Sequence, residues 1–527
     1  MKTTKIILTA LMCAIMPATV LAQNEVKDST QTVAPTITDT AASVLAKAEQ
    51  GDAEAQNLIA LWYYEGTNIA QDYAQAVNWW IKSAKQNNVD AIAHLGDCYL
   101  AGNGVTADTV KAHQLYIRAI RSGHKTLLDT LCVRATNGDI ASSLTVAQCY
   151  RNGYGTKRNQ QEAARFYSMA AAKGNVEGMR EAGILYMSLK QSKEADEWLK
   201  KAVDAGDTTA SYYYGKMYFD GKIVQKDDAK AVRYLTVAAN SGMAAAQYEM
   251  GNAYYRGEGV TKDLKQALDW HIKAALQGNW PASWGVACSY KNGEGVKASC
   301  SQAFHWYRTA AGNGYQNKIA KLLSGEEKGW ENSPIVAYMK AVRLYNKKQY
   351  AQAAEAFKAM RKDKVEDSRV MEEVCHLYSD DIKTVEKSVK ALQKFASDND
   401  LAAFEVAKMQ LTGIHMEKDA KAAVETVKRL VEAHYLPAIS MMGDLYYEGL
   451  GVEKNIETAV KYYSLAETAH SLTATAAQRF ALCYENGEGG VEKDFNHANK
   501  LHRYAATDPI EAFFVAIKMD KINSNRI

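Results

Sequence analysis

Six prolines and 34 glycines in 527 residues are too few for a low-complexity or disordered chain. Charge of one sign is also missing. Sixty-three basic against 60 acidic residues leave a formal net charge of +3, so overall charge implies neither a nucleic-acid groove nor binding to an anionic membrane. Past the first two dozen residues no stretch approaches the roughly 20 apolar residues that span a bilayer. An even set of cysteines is absent as well: of eight, Cys13 lies in the N-terminal apolar run, and the seven others cannot all pair within one chain. What remains is a composition of 47% hydrophobic and 23% charged residues, ample for a large buried core.

At the N-terminus, Lys2 and Lys5 precede an apolar run from Ile6 to Ala22 that ends Val20-Leu21-Ala22, the pattern of a secretory signal with small residues at the cleavage site. Residues 1–22 are therefore expected to be removed, leaving a soluble chain in the periplasm, outside the cell or at its surface. Met12 and Ala10 before Cys13 do not fit a lipidation pattern. Residues 23–42, rich in Ser, Thr and Gln without helical period, read as a flexible linker. Asp39-Thr40-Ala41 and Asp108-Thr109-Val110 resemble the O-glycosylation acceptor pattern of secreted bacterial proteins.

Self-similarity is the strongest signal. A glycine follows a tyrosine-bearing segment at Gly66, Gly102, Gly153, Gly221, Gly257, Gly293, Gly413, Gly449 and Gly487, and four of the steps are 36 residues. Within one unit, Ala245–Arg256 has the helical spacing of Met250, Gly251 and Tyr254. Gly257-Glu258-Gly259-Val260 breaks that helix, and Asp263 is placed to cap a second one over Leu264–Leu276, which Gly278 closes. Asp72, Asn159, Asp227, Asn455 and Asp494 hold the same capping place. Alanines (Ala76, Ala112, Ala231, Ala267, Ala303, Ala459) allow close helix approach, and Trp80, Tyr116, Tyr234, Trp270, Trp306 and Tyr463 are expected to fill the gaps between layers. Helix pairs this short must stack on their neighbours. Val176–Gly206 reads as a repeat without the glycine loop, and Lys125–Gly138 as an inserted helix.

The run Met250-Gly251-Asn252-Ala253-Tyr254-Tyr255-Arg256-Gly257-Glu258-Gly259-Val260-Thr261-Lys262-Asp263, followed by Ala267, Trp270 and Ala274-Ala275, closely resembles the SEL-one-like repeat, a relative of the tetratricopeptide repeat. The resemblance covers residues 43–314 and 401–507. It implies an all-α, right-handed superhelical solenoid of helix-turn-helix repeats, with an N-terminal array over 43–325 and a C-terminal one over 401–527. Residues 326–400 lack the glycine loop, but Ala341–Lys358 looks like an ordinary tetratricopeptide unit turning at Lys347-Lys348-Gln349, so the region reads as degenerate repeats. Lys328–Pro334 is the best hinge candidate.

Chemical signatures are weak. The glycine loops follow helices, whereas phosphate-cradling loops follow strands. Ser122-Gly123-His124-Lys125 and Ser397-Asp398-Asn399 match fragments of the penicillin-recognising serine enzymes, but no Lys-Thr-Gly follows. No His-Glu-x-x-His is present, and His497 and His502 lie five apart, off a shared helix face. No enzyme activity, cofactor or metal is expected. Cys98, Cys149 and Cys483 each precede a tyrosine at a packed position and read as buried small hydrophobes, whereas Cys288 and Cys300 flank one loop and could form a disulfide across a helical hairpin, which an exported compartment would permit.

The family resemblance implies that first helices line a partner-gripping face. By position relative to the loop glycine this selects Tyr64, Tyr212, Lys216, Phe219, Tyr248, Asn252, Tyr255, Trp284, Lys291, Asp444 and Tyr447, with Tyr212–Lys291 as the favoured segment. The expectation is an exported scaffold or adaptor for protein or peptide partners, with possible envelope association and no nucleic acid. Serine acyl transfer or penicillin binding at Ser122, and glycan binding by the aromatic surface, are the alternatives.

Overall fold

A computed structural model describes residues 39–316, 319, 333–363 and 365–506. The signal segment 1–22, most of the linker and most of the hinge candidate lie outside the described residues. Helix Asp39–Glu49 starts inside the expected linker, and Pro334 opens helix Pro334–Asn346. Among the described residues there are 26 α-helices and no strand, and the fold is an all-α solenoid of helix-turn-helix repeats. The helices group into two compact units that divide between Thr130 and Leu131. The first contains the helix pairs Ala53–Glu65 with Tyr73–Lys85 and Val89–Ala101 with Thr109–Arg121. The second contains the pairs from Ile140 onward, and the inserted helix Leu127–Thr136 spans the division.

The unit over 244–278 shows how sequence becomes repeat. Helix Ala244–Arg256 ends at Gly257, whose φ of 77° is a left-handed conformation that a side chain would strain, and whose N–H donates to Ala253 O. Five residues of loop follow, Glu258 to Lys262. Asp263 then caps helix Leu264–Ala275, its carboxylate accepting from Lys265 N and Gln266 N, and its own N–H closes the loop on Tyr254 O at 3.0 Å. The other expected caps all form. Asp108 caps helix Thr109–Arg121 in the same way, so its carboxylate is engaged by the backbone.

Two loop-referenced positions carry the core. Six residues before the loop glycine the first helix has Gly or Ala; fourteen after it the second helix presents Trp80, Tyr116, Tyr167, Leu235, His271, Tyr307, Val427, Tyr463 or Leu501, each buried. The small residue is the socket for the large one: a Cβ on Gly96, Gly251 or Gly443 would strike Tyr116, His271 or Tyr463. This register corrects the expectation for Tyr234 and Trp270. Both are half-buried at thirteen past the glycine, Trp270 with Lys273 Nζ 4.2 Å over its ring, and the interior place goes to Leu235 and His271, one residue on. Trp306 is buried as expected, but beside Tyr307, which holds the interior register.

The second loop glycine joins units. Gly104, Gly259, Gly295 and Gly451 lie against the backbone of Tyr73, Asp228, Leu264 and Ala420, each in the first turn of the preceding unit's second helix. Only a residue without Cβ permits that approach.

Residues 334–395 lack this joint. Helices Pro334–Asn346 and Tyr350–Ala359 turn through Lys347, Lys348 and Gln349 as expected, with Lys348 at φ 60°. Helices Glu366–His376 and Ile382–Phe395 follow. Polar links fasten this region to helix Cys300–Ala310: buried Asp367 accepts from Ser299 Oγ at 2.7 Å, Ser301 N at 2.8 Å and Asn399 Nδ2 at 2.8 Å. The same helix and its π-helical extension, bent at Gly314 with φ 117°, reach residues about 160 positions later, where Thr309 Oγ1 donates to Ala469 O and Asn313 Oδ1 meets His470 Nε2 at 3.1 Å.

Candidate functional site

Counting back from each loop glycine, positions nine, five and two residues earlier form one stripe along the first helix, and the eleven selected residues occupy it. Tyr64 belongs to the first unit of the molecule and the other ten to the second. Tyr64 is half-buried, its hydroxyl accepting from Asn103 Nδ2 at 2.9 Å and its ring 5.4 Å from that of Trp80.

In the second unit, the ninth-back position carries an aromatic in three successive repeats. Tyr212 packs on Tyr213 at 5.2 Å, Tyr248 on His271 at 5.6 Å, and Trp284 on Tyr307 and Tyr315 at 5.0 and 5.1 Å. Each is half-buried, so the rings both support the stack and keep an open edge. Burial raises the Tyr212 hydroxyl above its ordinary range.

The fifth-back position is polar and committed within the protein. Lys216 Nζ pairs with Glu249 at 3.1 Å; burial works against its charge, but Glu249 outweighs it and raises its pKa. Asn252 Oδ1 faces His271 Nε2 at 3.3 Å. Asp444 accepts from Tyr463 Oη at 2.9 Å and pairs with Arg479 at 2.7 Å, while its own burial raises its pKa. At the second-back position Phe219 packs half-buried on the core, Lys291 is half-buried, and the Lys454 and Arg479 cations each lie 5.7 Å from the Tyr447 ring. Tyr255, 39% exposed, is the most open of the large apolar side chains among the eleven, and its hydroxyl donates to Glu294 at 3.3 Å. The picture of a freely exposed aromatic row is thus replaced by half-buried rings bracketed by ion pairs.

Sequence reasoning missed Trp280. It opens helix Trp280–Asn292, is 38% exposed, stacks on Tyr315 at 4.4 Å and so extends the Trp284 cluster. Its Trp-Pro start was visible in the sequence, but it lies outside the three positions counted from the glycine.

The serine fragments are capping structures. Ser122 follows the last turn of helix Thr109–Arg121, and Gly123 at φ 99° turns the chain away before Lys125. Asn399 caps helix Asp400–Thr412 through Ala402 N. No disulfide joins Cys288 and Cys300: Cys288 Sγ faces Tyr307 Oη at 3.6 Å, and burial pushes the Cys300 thiol up to about 12. Cys98, Cys149 and Cys483 are buried, and burial raises each thiol. Among the described residues no cluster of three His, Cys, Asp or Glu is placed to hold a metal, and no helix is long and apolar enough to cross a membrane.

A family model described as Sel1 repeat matches residues 53–88, 89–124, 146–175, 181–207, 208–243, 244–279, 280–315, 400–425, 436–469 and 474–508. Protein sel-1 homolog 2 of Mus musculus is 37% identical over 86 residues, 16% of this chain and 12% of that protein. Chitin synthase regulatory factor 1 of Schizosaccharomyces pombe is 31% identical over 114 residues, 20% of this chain and 25% of that protein. The chain thus spans a quarter or less of the length of these curated relatives. A solved protective antigen of uropathogenic Escherichia coli with an SLR fold aligns at 22% identity and TM-score 0.36, over 91% of this chain and 97% of its own. A Sel1 repeat protein from Oxalobacter formigenes aligns at 26% identity and TM-score 0.33, over 48% of this chain and 96% of its own.

Proposed function

Starting from a chain that belongs to the Sel1 repeat family, we propose an exported adaptor that holds a peptide or protein partner against the first helices of residues 208–292. Sel1 repeats generally mediate protein interactions. One observation carries the choice of segment: Tyr212, Tyr248 and Trp284 recur at one position in three successive repeats, half-buried and interleaved with Lys216, Glu249 and Asn252. Rigid aromatics with polar neighbours are the residue types enriched in interface hot spots, because they contribute area at small entropic cost. The N-terminal signal pattern supports export to the periplasm or cell surface.

The test is cross-linking and pull-down from the native cell with Tyr212, Tyr248, Tyr255 and Trp284 changed together to alanine. The partners should be lost while helical circular dichroism is retained; an unchanged partner set removes the assignment. The exposed stack of Trp280 on Tyr315 supports glycan binding as a second reading. Retention on peptidoglycan that disappears in Trp280→Ala would favour it over the protein-binding reading.

A further inference from the structure

Away from the first-helix stripe, a cleft of about 360 Å³ opens between residues 265–302 and residues 366–434, within the usual range of ligand sites. Five carboxylates line it, Asp269, Glu366, Asp367, Asp398 and Asp400, against two lysines. Three of the five are already satisfied. Glu366 pairs with Lys297 at 2.6 Å, Asp400 with Arg429 at 3.3 Å, and Asp367 accepts the three hydrogen bonds that tie the two sides together. Neither the Asp269 nor the Asp398 carboxylate is within ion-pair distance of a cation among the described residues, although Lys297 Nζ donates to the Asp398 backbone carbonyl at 3.4 Å. Lys265, the other lysine of the lining, is exposed one turn before Asp269.

The second observation is Gln302. It lines this cleft, is 2% exposed, and neither Oε1 nor Nε2 has a hydrogen-bond partner. Native proteins rarely leave a buried amide unbonded on both atoms. What would satisfy it must offer a donor and an acceptor together, as another amide does.

We propose that this cleft is a binding site for a cationic peptide segment, which places a lysine or arginine side chain at Asp269 and Asp398 and its backbone amide on Gln302. One basic residue of a peptide supplies all three groups. A polyamine supplies the cation but no acceptor for Nε2, which is why a peptide fits better. The site stands apart from Tyr212, Tyr248 and Trp284, so it holds or fails independently of the stripe.

The test uses the intact chain on an array of nine-residue alanine-serine peptides, each with a central lysine, arginine, norleucine or glutamate. Lysine and arginine spots should retain at least about fivefold more protein than norleucine spots, with glutamate lowest. Asp269→Asn with Asp398→Asn should abolish that preference, and Gln302→Leu should lower retention on lysine and norleucine spots alike while keeping or raising the melting temperature. Equal retention of lysine and norleucine, or a lysine preference that survives the double Asn variant, overturns the proposal. So does a Gln302→Leu protein that is more stable yet binds unchanged. If Gln302→Leu fails to fold, Gln302→Met gives the same reading, and the two Asn changes on the rim decide the cation alone. The variant with Tyr212, Tyr248 and Trp284 changed to alanine should keep the lysine preference, separating the cleft from the stripe.

Discussion

Residues 208–310 and residues 334–395 are both stacked helix pairs, yet they are joined by different means. In the first, two successive loops touch the backbone of the unit before them at a glycine, Gly259 at Asp228 and Gly295 at Leu264. In the second, no such glycine exists, and a buried carboxylate, Asp367, reaches across to cap the N-terminus of helix Cys300–Ala310. A backbone joint fixes a spacing of 36 residues and tolerates varied side chains. A side-chain joint lets spacing drift but depends on one residue.

The most damaging way to break the comparison is Gly259→Val. A branched side chain at φ 71° against the Asp228 backbone should cost about 4 kcal/mol, read as a large drop in melting temperature and in the urea midpoint. On the other side of the comparison, Asp367→Ala leaves the buried Ser301 N–H and the partly buried Ser299 and Asn399 donors without their acceptor and should cost about 3 kcal/mol. Hydrogen exchange should locate that loss in residues 299–310 and 366–400, whereas a uniform loss over the chain would contradict the cross-link. Smallest is a difference between neighbouring repeats of the first kind, Leu235 and His271 in one register. Burial pushes the His271 imidazole down to about 4. An unfolded chain binds this proton near pH ~6.5 and the folded one refuses it, so the stability of neutral His271 is complete above that pH and is lost as pH falls toward 4. His271→Leu should therefore gain about 2 kcal/mol relative to the parent at pH ~5 and little of this at neutral pH. Urea titrations at the two pH values measure it, and equal acid sensitivity in parent and variant would remove His271 from the account.

Much of the fold was legible because glycine spacing is a backbone requirement written directly in sequence. The positive φ of Gly257, the caps at Asp72 and Asp263, the inserted helix Leu127–Thr136 and the loop-free pair at Val176–Asp204 all lie where the pattern puts them. The interior register was less legible. Counting aromatics selected Tyr234 and Trp270, and counting from the glycine selects Leu235 and His271; a helix advances about 100° per residue, so one step moves a side chain from the core to its margin. The stripe residues were legible by position, while their ion pairs were not. Lys216 with Glu249 joins adjacent repeats 33 residues apart, and nothing local marks the partner. The lining of the cleft was illegible altogether, since it joins residues 265–302 to residues 366–434, segments that no repeat pattern pairs.

Sequence alone determined the helical units, their caps and their step, because each depends on contacts within about 36 residues and on conformations only particular residues adopt. Tertiary structure decided which distant groups meet: the carboxylate that completes helix Cys300–Ala310 and the Glu249 that pairs with Lys216. It also left Gln302 buried without a partner. Those outcomes depend on packing and desolvation summed over segments far apart in the chain, and no local pattern encodes them.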